Sequence, residues 1–352
     1  MSKLRIAVYA ISKNEEAFVE RFIKSAKDAD LVLIADTGST DKTVELAQEL
    51  GATVHSICIT PWRFDKARDA ALALIPRDID VCVSLDLDEV LEEGWREEIE
   101  RLWQPSTTRL RYKYDWSEGI LFLAEKIHSR HGYHWHHPCH EYIRADPRIE
   151  EVWANTDKLL VTHHPDPTKS RGQYLDLLKV GVTEDPHCSR NAFYYARELT
   201  FYYHWEEAII ALDKYLAIST YIADKAYAMR LMGKCYNALG KHIEALYWYR
   251  LSCENAPNSR EPWCALSLYC YEHSNWSECY YAADKALNIT FREQLYTSDP
   301  TAWGFQPHDL AAIAAWNLGL VDKALMHALN ALELAPDDTR LQNNVRLMRC
   351  GS

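Results

Sequence analysis

The first half of the chain alternates short apolar runs with amphipathic stretches. The stretches between the runs place apolar residues at helical spacing, as in residues 64–74. Strands that alternate with helices form right-handed βαβ units, which indicates a mainly parallel, Rossmann-like α/β sheet. Four runs have the length and composition of buried strands: residues 5–10, 31–35, 53–57 and 81–85.

From about residue 185 the pattern becomes a repeating series of helices. A short motif recurs around Ala208, Ala245, Cys279 and Ala324. The first two intervals are close to the period of about 34 residues of tetratricopeptide repeats, and the last is about ten residues longer. We therefore expect an all-α tetratricopeptide-like domain over residues 181–352, with an insertion within residues 291–307, after an α/β domain over residues 1–180. A non-repetitive helical domain is the alternative.

Composition narrows the classes of protein. The chain has 352 residues, 48% hydrophobic and 26% charged, which is typical of a globular protein of about two domains. A net charge of −12 disfavours a nucleic-acid partner, a modified DNA base included, because phosphate binding needs a surplus of cations. No apolar run is long enough to span a membrane, and the first residues do not resemble a signal peptide. Ten cysteines without a CxxC pair favour reduced thiols and a cytoplasmic location.

Polar clusters follow three of the predicted strands, and the carboxyl ends of parallel strands meet at one edge of a sheet. Asp86 and Asp88 are two residues apart, so both carboxylates face one side and suit Mn²⁺ or Mg²⁺ together with phosphate oxygens. Asp36 ends the second strand, where it can accept hydrogen bonds from a nucleoside. Arg68 either contacts a nucleotide or forms a surface ion pair with Asp65. The alternative for the acidic residues is a solvated surface.

These clusters resemble, in order and spacing, the family 2 glycosyltransferases of the GT-A fold. The resemblance covers about residues 4–100 and implies a nucleotide-sugar donor, usually a UDP-sugar, with Asp36 at the nucleoside. It also implies an ion and diphosphate at Asp86 and Asp88, with Arg68 on the nucleotide side. The family's Pro-x-Tyr-Asn-Glu motif is altered here to Ile-Ser-Lys-Asn-Glu at residues 11–15. The donor contacts expected from this resemblance are Ser12, Asn14, Glu15, Asp36, Arg68 and Asp86.

Residues 131–142 contain five histidines, a cysteine and a glutamate, which also invites a zinc-site interpretation, although the spacing fits no standard finger. Residues 135–141 resemble the aromatic-His-x-x-x-His-Glu run of a subgroup with lipopolysaccharide-core β-glucosyltransferases and bacteriocin peptide S-glycosyltransferases. Several members carry helical repeats after the catalytic domain. The resemblance implies Glu141 as general base with His140 orienting or replacing it. It also matches a histidine at the end of the last strand, so that His163 or His164 completes the ion's ligands or donates to a phosphate.

Two further features of the sequence are a Pro-rich segment with two cations and a large number of aromatic residues. Lys169 and Arg171 lie in a Pro-rich segment that either closes over the diphosphate as a lid or links the domains. The chain has 12 Trp and 21 Tyr residues, and consecutive rings in the repeats, such as Tyr202 and Tyr203, cannot all face inward. The remaining rings are expected to line a surface beside the donor site, where they stack on a sugar or grip an acceptor.

The sequence thus favours an inverting, metal-dependent glycosyltransferase that uses a peptide, protein or saccharide acceptor. The alternative is a non-catalytic, repeat-based interaction scaffold with a degenerate GT-A domain. A sugar-1-phosphate nucleotidyltransferase is excluded because residues 10–16 contain no glycine for a phosphate-binding loop. A homo-oligomer is left open.

Overall fold

The computed structural model describes residues 3–117, 120–166 and 172–350. The chain divides into two compact units, Met1–Glu184 (unit 1) and Asp185–Ser352 (unit 2). The boundary expected after residue 180 lies inside the last helix of unit 1, four residues before this division. No helix of the described residues combines the length and the apolar character needed to cross a membrane.

Unit 1 is a mainly parallel α/β sheet flanked by helices, as the apolar pattern predicts. Its eight strands lie in the order β3-β2-β1-β4-β7-β6-β10-β5, and β8 and β9 form a separate hairpin. The helix predicted over residues 64–74 is present with the same bounds. The elements are β1 Ile6–Ser12, α1 Glu16–Ser25, β2 Leu31–Asp36, α2 Thr43–Glu49, β3 Thr53–Ser56, α3 Phe64–Leu74, β4 Val81–Ser84, β5 Glu89–Leu91, α4 Trp95–Leu102, β6 Arg109–Ser117, β7 Ile120–Ser129, β8 Tyr133–His136, β9 Tyr142–Ala145, β10 Trp153–His163 and α5 Tyr174–Glu184.

The two central strands fix the edge of the sheet where the polar clusters lie. β1 pairs in parallel with both β2 and β4. Alternate residues of β1 enter different cores, Ile6 and Val8 on one face and Ala7 and Tyr9 on the other. A strand buried on both faces needs a continuous apolar run, which explains its sequence. The strand ends are therefore held by packing on both sides.

The second half of the sheet brings the end of β10 to the same edge. β7 is antiparallel to β4 and to β6, and β10 runs parallel to β6. The short strand β5 begins directly after Asp88 and pairs antiparallel with the end of β10, with Glu89 opposite His163. This pairing places the last strand's terminal histidine beside the Asp86–Asp88 turn.

Unit 2 consists of helix pairs. The recurrent motif residues Ala208, Ala245, Cys279 and Ala324 all lie on the second helix of their pairs, and all are fully buried. Ala245 packs in one cluster with residues of the next pair, which is the packing expected of stacked repeats. The helices are α6 Ser189–Phe201, α7 Trp205–Ile218, α8 Ile222–Ala238, α9 His242–Asn255, α10 Arg260–Glu272, α11 Trp276–Leu287, α12 Gln306–Asn317, α13 Val321–Leu334 and α14 Thr339–Cys350.

The long last interval corresponds to an inserted segment between α11 and α12, where the sequence predicts it. Apart from a short 3₁₀ turn at Pro300–Trp303, the segment is irregular. It packs on the first helices of earlier pairs. The Tyr296 hydroxyl donates to Asp224 of α8 at 2.7 Å, and the Trp303 indole N–H donates to Glu261 of α10 at 3.0 Å. The segment is thus an integral part of unit 2.

Consecutive aromatic residues of the repeats do face in different directions. Tyr249 is 9% exposed, whereas Tyr247, two residues earlier, is 58% exposed. The exposed fraction of Tyr203 is 71%. Unit 2 therefore presents several rings to solvent in addition to those that pack between its helices.

Candidate functional site

The first cluster is built around Asp36 at the end of β2. Its carboxylate accepts hydrogen bonds from the Ser12 hydroxyl at the end of β1 and from the backbone N–H groups of Gly38 and Ser39, each at 3.0 Å. Gly38 has a φ of +103°, a conformation that favours glycine and lets the turn fold back onto the carboxylate. Burial raises the pKa of Asp36, but the hydrogen bonds from Ser39, Gly38 and Ser12 outweigh it and lower that pKa below its usual value. Asp36 is thus a preorganised anion 3% exposed to solvent.

The loop after β1 is tied to the Asp36 turn. The backbone N–H of Asn14 donates to Ser39 Oγ, and the Asn14 side-chain oxygen accepts from the backbone N–H of Thr40, both at 2.8 Å. The backbone N–H of Glu15 donates to Thr43 at 2.7 Å. The structure therefore brings Ser12, Asn14 and Asp36 together, and Ser12 and Asn14 shape the turn around the carboxylate.

The second cluster joins three charged residues that are far apart in the chain. Arg68 of α3 donates from Nη2 to Asp86 Oδ1 at 2.6 Å and from Nε to Glu141 Oε1 at 2.5 Å. Its side chain is 6% exposed, and its guanidinium lies 4.9 Å from the centre of the Trp135 ring. Among the described residues, Arg68 Nη1 has no hydrogen-bond partner. Arg68 thus bridges the Asp86 turn and the predicted base.

The alternative interpretation of Arg68 as a surface ion pair with Asp65 is wrong. Asp65 is paired instead with Arg63, at 2.8 Å. Arg68 lies on the same helix face as Ala71 and Leu72, three and four residues later, and all three are buried. The apolar spacing of α3 therefore contained the evidence that Arg68 faces inward.

A third group, Glu89, Tyr114 and Lys126, was not identified from the sequence. Glu89 is 2% exposed, and its Oε1 accepts from the Tyr114 hydroxyl at 2.6 Å and from Lys126 Nζ at 2.7 Å. Its Oε2 accepts from the backbone N–H of Asp86 at 3.0 Å. Lys126 Nζ also lies 3.7 Å from Asp86 Oδ2. Glu89 therefore fixes the backbone of the Asp86–Asp88 turn from within the protein.

Asp88 faces the end of β10. His163 Nε2 lies 3.5 Å from Asp88 Oδ2, and both side chains are about nine-tenths buried, at 9% and 12% exposure. His163 Nδ1 lies 3.0 Å from the Trp116 carbonyl oxygen, and its ring stacks on the Trp116 indole at 4.2 Å. Burial lowers the pKa of His163, but Asp88 and the Trp116 carbonyl outweigh it and leave that pKa raised. A hydrogen bond from Nδ1 to a carbonyl leaves Nε2 as the atom that can bind an ion.

The predicted ion ligands are only partly assembled. In residues 3–117, 120–166 and 172–350 no group of three His, Cys, Asp or Glu side chains is arranged to hold a metal ion, the His-rich segment included. Asp88 and His163 supply two suitable ligands, whereas Asp86 faces Arg68 and Lys126. Two protein ligands suffice for Mg²⁺ or Mn²⁺ when phosphate oxygens and water complete the shell. The residues present therefore fit a divalent ion shared with a phosphate ligand, centred on Asp88.

The remaining predicted residues lie on loops. His140 and Glu141 come between β8 and β9, where His140 has a φ of +51° and its ring lies 5.9 Å from that of Tyr174. Glu141 is 10% exposed. His164 follows His163, and its backbone N–H donates to the Asp88 carbonyl oxygen at 2.8 Å. Lys169 and Arg171 lie outside the described residues.

Several known proteins are similar to parts of this chain. An uncharacterized glycosyltransferase of Rickettsia bellii is 37% identical over 100 residues, which are 28% of this chain and 33% of that protein. The lipopolysaccharide core biosynthesis glycosyltransferase LpsC of Rhizobium meliloti is 33% identical over 98 residues, 27% of this chain and 36% of its own length. The chain thus spans about a third of the length of these relatives.

Two further proteins that are similar to part of this chain are described as TPR proteins. A TPR repeat-containing protein of Synechococcus elongatus is 32% identical over 131 residues, 36% of this chain and 28% of that protein. The crystal structure of YrrB, described as a TPR protein with an unusual peptide-binding site, covers 50% of this chain and 84% of its own at 14% identity and a TM-score of 0.41.

The family model "Glycosyl transferase family 2" matches residues 8–132. The match extends from β1 through the Asp36 turn, α3 and the Asp86–Asp88 turn to the end of β7, and it confirms the resemblance seen in the sequence. Residues 8–132 of this chain are therefore a glycosyl transferase family 2 domain.

Proposed function

We propose that this protein transfers a sugar from a UDP-sugar to a saccharide, peptide or protein acceptor, with inversion and with a divalent ion. The observation that carries the proposal is the meeting of Asp36, Asp88 and His163 at one edge of the sheet, with Arg68 buried behind the Asp86–Asp88 turn. One edge thus offers an anionic acceptor for a nucleoside and ligands for an ion that binds phosphate.

On the donor side, Asp36 receives the nucleoside. Its hydrogen bonds hold the carboxylate in place before a ligand arrives, which reduces the ordering cost of binding. Ser12 and Asn14 maintain that turn, and Glu15 is anchored beside it through its backbone. Arg68 Nη1, which has no partner among the described residues, is a buried donor available to a phosphate oxygen.

Asp88 and His163 would hold the ion, and Asp86 would become available to it if Arg68 donated to the diphosphate instead. When bound, a divalent ion neutralises negative charge that develops on the departing diphosphate. Among the described residues, four carboxylates (Asp86, Asp88, Glu89 and Glu141) lie around Arg68 and Lys126. Carboxylate oxygens are the ligands that hard divalent cations prefer.

Glu141 is the general base of the proposed reaction. Arg68 holds its Oε1, so Oε2 is the atom that receives the proton of the acceptor's hydroxyl or thiol group as the new bond forms. His140 precedes it in a left-handed backbone conformation, which orients the loop. The sugar's bond to the diphosphate breaks on the opposite face.

Unit 2 holds the acceptor in this proposal. Exposed rings such as Tyr203, Tyr247 and Phe291 provide apolar faces that stack on sugars or on apolar side chains. A saccharide acceptor is supported by the similarity of part of this chain to LpsC, which is named for lipopolysaccharide core biosynthesis.

The test is UDP release by the purified full chain from a panel of UDP-sugars, with Mn²⁺ or with EDTA. We expect release from one donor class, dependent on the ion and lost in Asp88→Ala. Glu93→Ala is the matched control, because Glu93 is an exposed carboxylate five residues away. No release from any donor, or equal release by wild type and Asp88→Ala, contradicts the proposal. Unchanged partner binding by Asp86→Ala/Asp88→Ala in a protein without such release would indicate the non-catalytic scaffold.

A further inference from the structure

Lys126 is a cation of the site that lies outside every motif recognised in the sequence. It comes from β7, the antiparallel strand beside β4. Its Nζ donates to Glu89 at 2.7 Å and lies 3.7 Å from Asp86 Oδ2, which is too long for a hydrogen bond. The ammonium therefore lies at the Asp86–Asp88 turn with one strong partner.

Lys126 differs from Arg68 in how firmly it is held. Arg68 is 6% exposed and fixed by two carboxylates, whereas the side chain of Lys126 is 27% exposed. An ammonium has three N–H donors, and in the described part of the chain Lys126 uses one of them, toward Glu89. Its flexible stem allows the group to turn toward a new acceptor while it keeps that bond.

The surroundings keep Lys126 charged. A lysine ammonium is charged at neutral pH, and the Glu89 carboxylate that accepts its hydrogen bond at 2.7 Å favours the charged form. A charged ammonium with N–H groups left to donate forms strong hydrogen bonds to phosphate oxygens, so that a diphosphate at this turn could accept one.

We propose that Lys126 binds the diphosphate of the nucleotide-sugar donor, with one N–H remaining on Glu89 and another moving from the vicinity of Asp86 to a phosphate oxygen. The inference rests on the proposed function and adds a second cationic side chain, after Arg68, to the ion at Asp88. A role limited to neutralising buried Glu89 is the competing explanation.

The experiment compares the affinities of UDP and uridine by calorimetry in the presence of Mn²⁺, because the two ligands differ only in the diphosphate. We expect wild type to prefer UDP. Lys126→Met should weaken UDP binding about tenfold or more, as expected for a lost charged hydrogen bond, and leave uridine binding unchanged. Lys126→Arg should retain most of the preference. Lys113→Met is the matched control, since Lys113 adjoins Tyr114 on β6 but points to the opposite face.

The outcomes separate the two proposals. If wild type binds UDP more tightly than uridine and Lys126→Met keeps the same ratio, Lys126 only neutralises Glu89 and the inference is wrong while the donor assignment stands. If wild type binds neither ligand, the proposed function itself fails. Because the readout is a ratio within one protein sample, partial unfolding of Lys126→Met changes the number of sites and not the ratio.

Discussion

The Asp36 turn and the Asp86–Asp88 turn lie at the ends of β2 and β4, on either side of β1, but they are stabilised in different ways. Asp36 takes its hydrogen bonds from Gly38 and Ser39 in its own turn and from Ser12 on the adjacent strand. Asp86 and Asp88 face Arg68, Lys126 and His163, which come from α3, β7 and β10. The first turn is stabilised mainly by its own residues and by the adjacent strand β1, whereas the second is contacted by side chains from three more distant elements.

This difference separates two kinds of binding site. A carboxylate held by its own turn is rigid before any ligand arrives, which suits recognition of a constant group such as a nucleoside. By contrast, the carboxylates of the second turn share their cations with other residues. When a ligand binds, such a cation can turn from the carboxylate to a negative group of the ligand. We therefore expect substitutions in the first turn to have mainly local effects, and substitutions in the second to affect ion binding and several elements together.

The largest effect is expected from Asp88→Asn, which keeps the side-chain shape and removes the charge. The rate of sugar transfer should fall by about a thousandfold, because an ion ligand that stabilises the leaving group is lost. Thermal stabilisation by UDP should also lose its dependence on Mn²⁺. Glu93→Gln is the control. A rate within tenfold of wild type would mean that Asp88 does not hold the ion.

Next in size is the effect of Arg68→Met on stability. The substitution removes the cation that Asp86 and Glu141 share, and of these two carboxylates Glu141 is nearly buried, at 10% exposure, whereas Asp86 is 39% exposed. The free energy of unfolding, measured by urea denaturation, should fall by about 3–5 kcal/mol. Arg68→Met/Glu141→Gln should recover part of this loss, since one carboxylate charge is removed. If the double variant is no more stable than the single one, the two residues are not coupled.

A smaller effect that depends on pH is expected from Asp36→Asn. The pKa of Asp36 is lowered in the folded protein, so its stabilising contribution is present above the unfolded pKa of about 3.9 and disappears as the pH falls through the folded pKa. At pH 7 the variant should be less stable than wild type by about 1–2 kcal/mol. Urea unfolding between pH 7 and pH 2 should show the two proteins converging at the acid end. A constant difference over this range would contradict a charged Asp36.

The smallest effect is expected from Gly38→Ala. No atom lies within 4 Å of the added Cβ, so the cost comes only from the backbone at φ +103° and should be about 1 kcal/mol. Uridine binding should weaken with it, because the Gly38 N–H donates to Asp36. Gly304→Ala, at a φ of −94° and with 3.8 Å to the nearest atom, is the control and should match wild type.

The sequence predicted those features of the fold and of the site that depend on residues close together in the chain. The apolar runs identified β1 to β4, and the turn residues after β2 identified the Asp36 cluster, because each contact spans a few residues or one strand pair. The helical repeats and the inserted segment followed from a fixed period.

The side chains around the Asp86–Asp88 turn were harder to predict from the sequence. Lys126 reaches Glu89 across 37 positions and Arg68 reaches Glu141 across 73. The Lys126 contact follows from the insertion of antiparallel β7 beside β4, and the Arg68 contact joins α3 to the loop between β8 and β9; no local pattern reveals either arrangement. Two residues were partly accessible to prediction: the spacing of Arg68 from Ala71 and Leu72 indicates a buried position, and the family resemblance already suggested His163 near Asp88.

The segment between α11 and α12 gives unit 2 a surface that the repeat pattern alone does not specify. Arg260 of α10 donates to the Ile289 carbonyl oxygen and lies 4.1 Å from the centre of the Trp303 ring, while Tyr296 contacts Asp224 of α8. The number of helix pairs determines the length of the repeat stack. The side chains on the surface covered by this segment are determined by the segment itself. Replacing this segment could therefore change the binding specificity of unit 2 without changing its helices.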